Sequence, residues 1–184
     1  YGHGAVKIAK TLEDKADYFA VALADEALQL RKAGIKKPIL ILGQARPSDY
    51  NALIENDITL CLADDEDAKY IIEASKILSK RATVHIAVDT GMSRIGFQCC
   101  NASAAKIAAY CSNEHIYVEG LFSHFAMADS YDKTYAKVQI LNFDRLIAAL
   151  DALKVKIPIK HLYNSAASID LPIKYDMVRE GISL

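Results

Sequence analysis

The chain has 184 residues, of which 52% are hydrophobic and 24% charged, and its formal net charge is −1. This composition is typical of a globular protein with one large core, and it lacks the strong positive charge with which proteins bind nucleic acid or an anionic membrane surface. The sequence contains neither an apolar run long enough to span a bilayer nor the regions of a signal peptide. We therefore expect a cytoplasmic protein with no nucleic-acid or membrane partner.

Helical and β-rich patterns alternate along the chain. The first helical pattern places Ala5, Ile8, Ala9 and Leu12 at the spacing of one buried helix face, and a longer one repeats it with Ile140, Phe143, Ile147 and Leu150. The predicted strands, mostly continuous apolar runs, are residues 18–23, 38–42, 58–62, 83–88, 118–122, 157–163 and 177–182. The alternation predicts a parallel sheet with helices between its strands.

An acidic run, Asp64-Asp65-Glu66-Asp67, opens the helical pattern that contains Ala68, Ile71 and Ile72. Such a run could bind a metal ion, but carboxylates at a helix start also complement the helix dipole without any ion. We favour the second interpretation and predict no metal site. The four cysteines show neither zinc-ligand spacing nor a disulfide framework, so we interpret them as reduced thiols with mainly packing roles.

The number of strands favours a barrel that is incomplete. A (β/α)₈ barrel of the TIM type has eight strands and typically about 250 residues, whereas seven strands are predicted here and the chain opens with a loop and a helix. We predict an α/β fold over residues 1–184, a partial barrel domain whose first strand is missing. Only residues 164–176 separate the last two strands, so their helix must be short. An open doubly wound sheet is the alternative fold.

Polar, small and titratable residues gather after the predicted strands, where parallel barrels place their chemistry. The segments are residues 1–4, 89–96, 123–125, 164–168 and 179–182. Arg179 belongs to a mostly buried strand end, so its guanidinium must be paired by a structural carboxylate or by a ligand. Gly181 would let a backbone N–H approach an anion.

Each remaining candidate has a functional and a structural interpretation. Asn164 and Ser165 could receive a phosphate at a helix start, or one of them could simply cap that helix. His124 at a strand end could belong to a site or to the core, and Arg94 could be a solvated loop charge. His85 and His161 lie within strands, and we interpret both as structural.

Taken together, five segments resemble the alanine racemase family, whose members use pyridoxal 5'-phosphate (PLP). They are Tyr1-Gly2-His3-Gly4, Asp89-Thr90-Gly91-Met92 with Arg94 and Gly96, Ser123-His124-Phe125, Asn164-Ser165-Ala166-Ala167-Ser168, and Arg179-Glu180-Gly181-Ile182. They occur in the family's order and cover the chain from end to end. The resemblance implies the N-terminal, PLP-binding barrel domain of such an enzyme.

The resemblance also implies roles for individual residues. Tyr1 would hydrogen-bond the cofactor phosphate, and Ser165, Gly181 and Ile182 would complete the phosphate site, with Asn164 beside them at the start of the helix. A further three residues would contact the ring or the substrate: His124 would lie against the pyridine ring, Arg94 would reach the phenolic oxygen and the substrate carboxylate, and Arg179 would donate to the pyridine nitrogen.

The two catalytic groups of the family are not implied within this chain. The PLP-bearing lysine would precede Tyr1, and a tyrosine base would come from a C-terminal β-domain across a homodimer. We expect these 184 residues alone to be inactive, with borohydride trapping no cofactor adduct on their lysines. Interconversion of L- and D-alanine is the predicted activity of the full-length protein, and a serine racemase of the same family or a non-catalytic PLP-binding barrel is the alternative.

The sequence departs from the family pattern in a few places. Ala87 occupies a position where many members carry a lysine that steadies the equivalent of Arg94, so Arg94 must find another partner. Glu180 stands where proline or an apolar residue is common, and Leu162-Tyr163 replaces smaller residues. None of these changes removes a residue that the resemblance assigns to the cofactor.

Overall fold

A computed structural model describes residues 2–184 of the protein. Tyr1, which the resemblance assigns to the cofactor phosphate, lies outside the described residues. The chain divides into two compact units, one containing residues up to 85 with residues 114–117, and the other containing residues 86–113 and 118–184.

The first unit alternates helices and short strands from its start. Its elements are α1 (Ala5–Leu12), β1 (Phe19–Val21), α2 (Ala24–Lys32), β2 (Ile39–Ile41), a 3₁₀ turn (Pro47–Asp49), α3 (Tyr50–Glu55), β3 (Ile58–Leu62), α4 (Asp65–Leu78) and the first half of β4 (Ala82–Asp89). The strands β1, β2 and β3 pair in parallel in this order. Every residue of β2 and β3 is buried, as the continuous apolar runs predict.

The acidic run begins α4 as a cap. The Asp64 carboxylate accepts hydrogen bonds from the backbone N–H groups of Glu66 at 2.9 Å and of Asp67 at 2.8 Å. It therefore satisfies two of the N–H groups that a helix start leaves without partners. Asp67 is buried and accepts from the Tyr50 hydroxyl at 2.9 Å. The capping interpretation is confirmed.

The predicted buried face of α1 is wrong in part. Ala9 is buried, but Ala5 is exposed and Ile8 is 41% exposed. Within this unit α1 packs on α2, so only a narrow stripe of α1 contacts other residues of the unit. A helical repeat of apolar residues indicates the helix but not how much of its apolar face is covered.

The second unit carries most of the candidate site residues. After the second half of β4 its elements are β5 (Phe97–Gln98), α5 (Asn101–Cys111), β6 (Ile116–Phe122, from residue 118), α6 (Thr134–Ala152), β7 (Ile159–Asn164), α7 (Ser165–Asp170) and β8 (Met177–Arg179). The order of its strands is β4-β6-β7-β8, with β5 pairing with β4. The helix α7 has six residues, which confirms the prediction of a short last helix.

Strand register brings the polar strand ends together. Phe122 of β6 pairs with His161 of β7. At the far end of β7, Asn164 pairs with Arg179 of β8. Because the pairs β6–β7 and β7–β8 are parallel, the loops that follow these strands leave from one edge of the sheet.

The strands of this unit differ from the predicted ones by one to three residues at several ends, and one strand was not predicted at all. The two-residue strand β5 was not predicted, because a segment this short carries no periodic signal. The last strand ends at Arg179 instead of residue 182. Gly181 and Ile182 therefore follow the strand, and Ile182 is 79% exposed.

The inner face of α6 is also displaced from the predicted one. Phe143 and Leu150 are buried as expected, whereas Ile140 and Ile147 are only half-buried. The polar side chain of Gln139 is fully buried in their place. An apolar repeat cannot reveal an inward-facing amide, which is stable in a core only when its hydrogen bonds are satisfied.

The cysteines, the helix hydropathy and the grouping of metal-ligating side chains complete the description of residues 2–184. All four cysteines are free thiols: Cys61 is buried, Cys99 and Cys111 are half-buried, and Cys100 is exposed. Among residues 2–184, no helix combines the length and the apolar character that a bilayer crossing requires. Over the same residues, no group of three or more His, Cys, Asp or Glu side chains is arranged to hold a metal ion.

Candidate active site

Arg179 stands at the centre of the second unit's polar loops. Its guanidinium donates to Nδ1 of His161 at 2.7 Å and to Nδ1 of His124 at 3.1 Å. It also donates to the carbonyl oxygens of Ser123 at 2.7 Å and of Leu162 at 3.3 Å. One side chain at the end of β8 thus binds groups from the ends of both β6 and β7.

The partners of Arg179 are neutral acceptors rather than the carboxylate or ligand expected from sequence. Burial, followed by the nearby charge of Arg94, lowers the pKa of Arg179 to about 10, so the guanidinium remains charged at neutral pH. All these hydrogen bonds use the two terminal nitrogens of the guanidinium. Among residues 2–184, nothing accepts a hydrogen bond from its Nε–H. A half-buried cation with a donor to spare can bind a further acceptor.

An aromatic stack supports this guanidinium. The Phe122 and His161 rings are stacked, with centroids 5.1 Å apart and an interplanar angle of 8°. The guanidinium carbon of Arg179 lies 5.8 Å from the centroid of Phe122, within the range of a cation–π interaction. The side chain of Arg179 is therefore held by packing as well as by hydrogen bonds.

His124 is held as a neutral imidazole. Burial, followed by the positive charges of Arg179 and Arg94, lowers the pKa of His124 to about 4. Its Nδ1 accepts from Arg179, so the ring proton belongs on Nε2. At neutral pH His124 is then an uncharged ring in a positively charged environment.

An aspartate-capped turn carries Arg94. The Asp89 carboxylate at the end of β4 accepts from the backbone N–H groups of Gly91 at 2.8 Å and of Ser93 at 3.0 Å. Burial alone would raise the pKa of Asp89, but these backbone donors outweigh it and lower the pKa. Gly96 closes the turn at φ 107°, where a Cβ would lie 2.8 Å from the carbonyl of Ala87.

Arg94 itself is exposed at the edge of a small cleft. The cleft is lined by Ala87, Val88, Asp89, Met92, Arg94, Ile95, Phe122, Ser123 and His124. In the part of the chain that the structure describes, Arg94 forms neither a hydrogen bond nor an ion pair. Ala87, which is buried and lines this cleft, has no polar side-chain group that could bind the guanidinium.

Ser165 and Gly181 meet at a second point of the same unit. The backbone N–H of Gly181 donates to Oγ of Ser165 at 3.0 Å, and Ser165 is buried. The hydroxyl proton of Ser165 has no acceptor within residues 2–184 and remains available to a ligand. Oδ1 of Asn164 accepts from the N–H of Ala167 at 3.1 Å, so the helix-capping alternative describes this side chain.

The structure brings most of the predicted site residues together. Arg94 and His124 line one cleft, His124 accepts from Arg179, and the chain continues from Arg179 to Gly181, which donates to Ser165. Ile182 follows Gly181 with its side chain exposed, so only its backbone is suited to a ligand contact.

Sequence patterns missed several residues that shape this site. His161 was interpreted as structural, yet it is fully buried and accepts a hydrogen bond from Arg179 at 2.7 Å. Three residues of α6, namely Tyr135, Gln139 and Asn142, were not singled out although they bind the Asp89–Gly91 turn. They are four and three residues apart, which places them on one face of the helix. This spacing could have indicated a polar face directed at the site, but only if polar helix residues had been tested as inward-facing.

Comparison with known proteins shows the family of the chain. The family model described as "Alanine racemase, N-terminal domain" matches residues 1–184. The chain belongs to this family. It is 42% identical to alanine racemase 1 of Caldanaerobacter subterraneus subsp. tengcongensis, covering 100% of this chain and 48% of that protein. It is 45% identical to the alanine racemase of Methanococcus maripaludis, covering 100% of this chain and 50% of that protein.

A solved structure gives the same result for the fold. The alanine racemase of Clostridium difficile 630 superposes with a TM-score of 0.96 at 44% identity, covering 99% of this chain and 48% of that chain. This likeness confirms the predicted fold class, an α/β fold that corresponds to an incomplete barrel of the TIM type. The chain spans about half the length of the alanine racemases that it matches.

Proposed function

We propose that the protein carrying this chain is a PLP-dependent amino-acid racemase that interconverts L- and D-alanine. The observation that carries the proposal is the placement of the residues assigned from the family motifs: Arg94 and His124 line one cleft, Arg179 binds His124, and Ser165 binds Gly181, two residues after Arg179. The names of the relatives, all alanine racemases, support the choice of substrate.

The donors of this network fit a phosphorylated pyridine. The hydroxyl of Ser165 and the Nε–H of Arg179 have no acceptor among residues 2–184, and the guanidinium of Arg94 has no partner there. A phosphate, a ring nitrogen and a carboxylate are the acceptors that such donors bind. Ser165 and the backbone N–H groups of Gly181 and Ile182 would hold the phosphate. Tyr1 would add its hydroxyl to them.

Arg179 would control the protonation of the ring nitrogen. When bound, PLP acidifies the α-proton of an amino acid by withdrawing electrons into its ring. Arg179 would donate to that ring nitrogen while keeping its own proton, because a guanidinium with a pKa of about 10 does not release it at neutral pH. The nitrogen would stay unprotonated, which weakens electron withdrawal and favours α-proton exchange over transamination.

The neutral His124 and the free Arg94 would place the other groups. His124 would lie flat against the pyridine ring without adding a further charge to the site. Arg94 would pair with the substrate carboxylate, whose negative charge would supply the partner that the protein side chains do not. Neither residue would transfer the α-proton.

The acid and the base of racemisation would come from outside this chain. Exchange at an α-carbon with inversion requires groups on both faces of the reacting centre. We infer that they are a PLP-bearing lysine and a tyrosine supplied across a homodimer, in a cytoplasmic enzyme. The 184 residues alone would then be inactive.

Racemisation by the complete protein is the direct test. The purified protein, loaded with PLP, should convert L-alanine to D-alanine, measured by chiral chromatography with L-serine in parallel. Borohydride should trap the cofactor on a lysine outside residues 1–184, located by peptide mapping. Faster conversion of serine than of alanine would identify a serine racemase. PLP binding without racemisation would identify a non-catalytic barrel. Failure to bind PLP would refute the proposal.

A further inference from the structure

One face of α6 contacts the turn that carries Arg94. The Tyr135 hydroxyl donates to the carbonyl oxygen of Gly91 at 2.6 Å. The side-chain amide of Asn142 donates to the carbonyl oxygen of Thr90 at 3.0 Å. Gly91 has φ 135°, and a Cβ there would lie 2.6 Å from the Tyr135 hydroxyl, so this contact requires glycine. The helix therefore fixes the backbone of the turn on its inner side.

Gln139, between these two residues on the helix face, uses its whole amide. Its side chain is fully buried. Nε2 donates to Oγ1 of Thr90 and to the carbonyl oxygen of His124, each at 3.0 Å. Oε1 accepts from the backbone N–H of Ala126 at 2.9 Å. An amide with both protons and its oxygen engaged has one stable orientation.

These three bonds join two loops of the site. Thr90 belongs to the loop of Arg94, whereas His124 and Ala126 belong to the loop after β6. Because Thr90 accepts from Gln139, its own proton is available for the hydroxyl of Ser123, which lies 2.8 Å away. The carbonyl of Ser123 in turn accepts from Arg179. Gln139 is thus two hydrogen bonds from Ser123 and one from His124, and both of these residues accept from Arg179.

We propose that Gln139 is a positioning residue that sets the distance between the Arg94 loop and His124, and so aligns Arg94 with the substrate carboxylate. Arg94 has no partner of its own among residues 2–184, so its placement depends on the loop that carries it. The role in substrate binding rests on the proposed racemase function, while the coupling of the two loops stands on the hydrogen bonds alone.

The first experiment measures the loops without any substrate. Gln139→Met removes the amide while keeping an unbranched side chain of similar length, and Leu141→Gln is a matched control because Leu141 is 48% exposed on the same helix. In the complete protein, hydrogen exchange at the N–H groups of Gly91, Ser93 and Ala126 should accelerate at least about tenfold in Gln139→Met only. Unchanged exchange at these groups would overturn the proposal.

The second experiment separates positioning from general damage. Gln139→Met should raise KM for alanine about tenfold and weaken binding of propionate, a carboxylate without an amino group, to a similar extent. The affinity for PLP should change less than about twofold. In an Arg94→Ala background the effects on KM and on propionate should disappear, since the residue that Gln139 positions is gone.

Thr90→Val provides a second variant should Gln139→Met fail to fold, because it removes the hydroxyl that receives the Gln139 bond. It should reproduce the same pattern. An equal loss of alanine affinity with and without Arg94 would contradict positioning. Absence of racemisation in the unsubstituted protein would instead refute the proposed function and with it the role in substrate binding, and the exchange data would then decide the loop coupling by themselves.

Discussion

Arg179 donates to Nδ1 of His124 across 3.1 Å, which places a guanidinium beside an imidazole, and no carboxylate of residues 2–184 binds either group. Such a pair is stable only while the imidazole is neutral, because an imidazolium would lose its acceptor nitrogen and repel the guanidinium. Burial and the charges of Arg179 and Arg94 act in the same direction and lower the pKa of His124 to about 4.

The lowered pKa of His124 predicts a pH-dependent stability. Its pKa falls from the ordinary 6.5 to about 4, so between these values the unfolded chain binds more protons at this residue than the folded one. The contribution of neutral His124 to the free energy of unfolding is therefore fully present above about pH 6.5 and is lost as the pH falls toward 4. Urea unfolding at a series of pH values should show a shallower decline across this window for His124→Gln, whose amide oxygen can still accept from Arg179.

Parallel pH profiles for the two proteins would contradict the assignment. The pH range in which His124 changes the stability lies above the range for Asp89. The pKa of Asp89 is lowered from 3.8, so its contribution to stability is lost only at more acid pH. The two effects are thus separable by titration.

Replacing Arg179 should change the chemistry that the site permits. With Arg179→Glu the donor to the ring nitrogen becomes an acceptor, so the nitrogen would be protonated and withdraw electrons more strongly. We expect a faster transamination side reaction and a shifted cofactor absorption spectrum in the complete enzyme. Arg145→Glu makes the same charge change at an exposed position of α6 and should leave both unchanged. Unaltered side-reaction rates and spectrum in Arg179→Glu would refute this role.

Gly96→Ala should destabilise the turn that carries Arg94. The residue has φ 107°, and an added Cβ would lie 2.8 Å from the backbone atoms of Ala87 and Val88, which cannot move aside as a flexible side chain would. We expect a loss of about 2–5 kcal/mol in the free energy of unfolding, from the unfavourable backbone angle and the overpacking combined. Gly34→Ala separates the backbone-angle cost from the overpacking cost. A Cβ at Gly34 meets nothing within 4 Å, so this substitution has only the cost of its φ of 89°. Equal losses at both positions would contradict the steric part.

The cysteines should differ in reactivity. Hydrogen bonds from Ser103 lower the pKa of the exposed Cys100, whereas burial raises the pKa of Cys61. Since the thiolate is the reactive form, iodoacetamide should alkylate Cys100 in the folded protein at least about tenfold faster than Cys61, as followed by mass spectrometry. In urea the two rates should converge. A faster reaction at Cys61 in the folded state would contradict the described burial.

The positions of most strands, and the polar residues that follow them, were predictable because two simple signals mark them. Strands buried on both faces, such as Ile58–Leu62, are continuous apolar runs whose ends stand out. The polar residues at those ends, including Arg179 and His124, interrupt apolar sequence and so attract attention. Family motifs then assigned roles to the same positions.

The supporting residues were not predictable for the opposite reason. Gln139 looks like any polar residue of a solvent-facing helix, although it is fully buried, and His161 looks like an ordinary core histidine. Their importance lies in the atoms they contact, namely two loops and one guanidinium, and these contacts join residues up to 49 positions apart in sequence. Local periodicity carries no information on such pairs.

The decisive measurement is a crystal structure of the complete protein with PLP. We expect the cofactor phosphate within hydrogen-bond distance of Ser165 and the backbone of Gly181, and the pyridine nitrogen within hydrogen-bond distance of Arg179 Nε, with His124 against the ring. A cofactor bound away from Arg179 and Ser165, or a ring nitrogen facing a carboxylate, would contradict it.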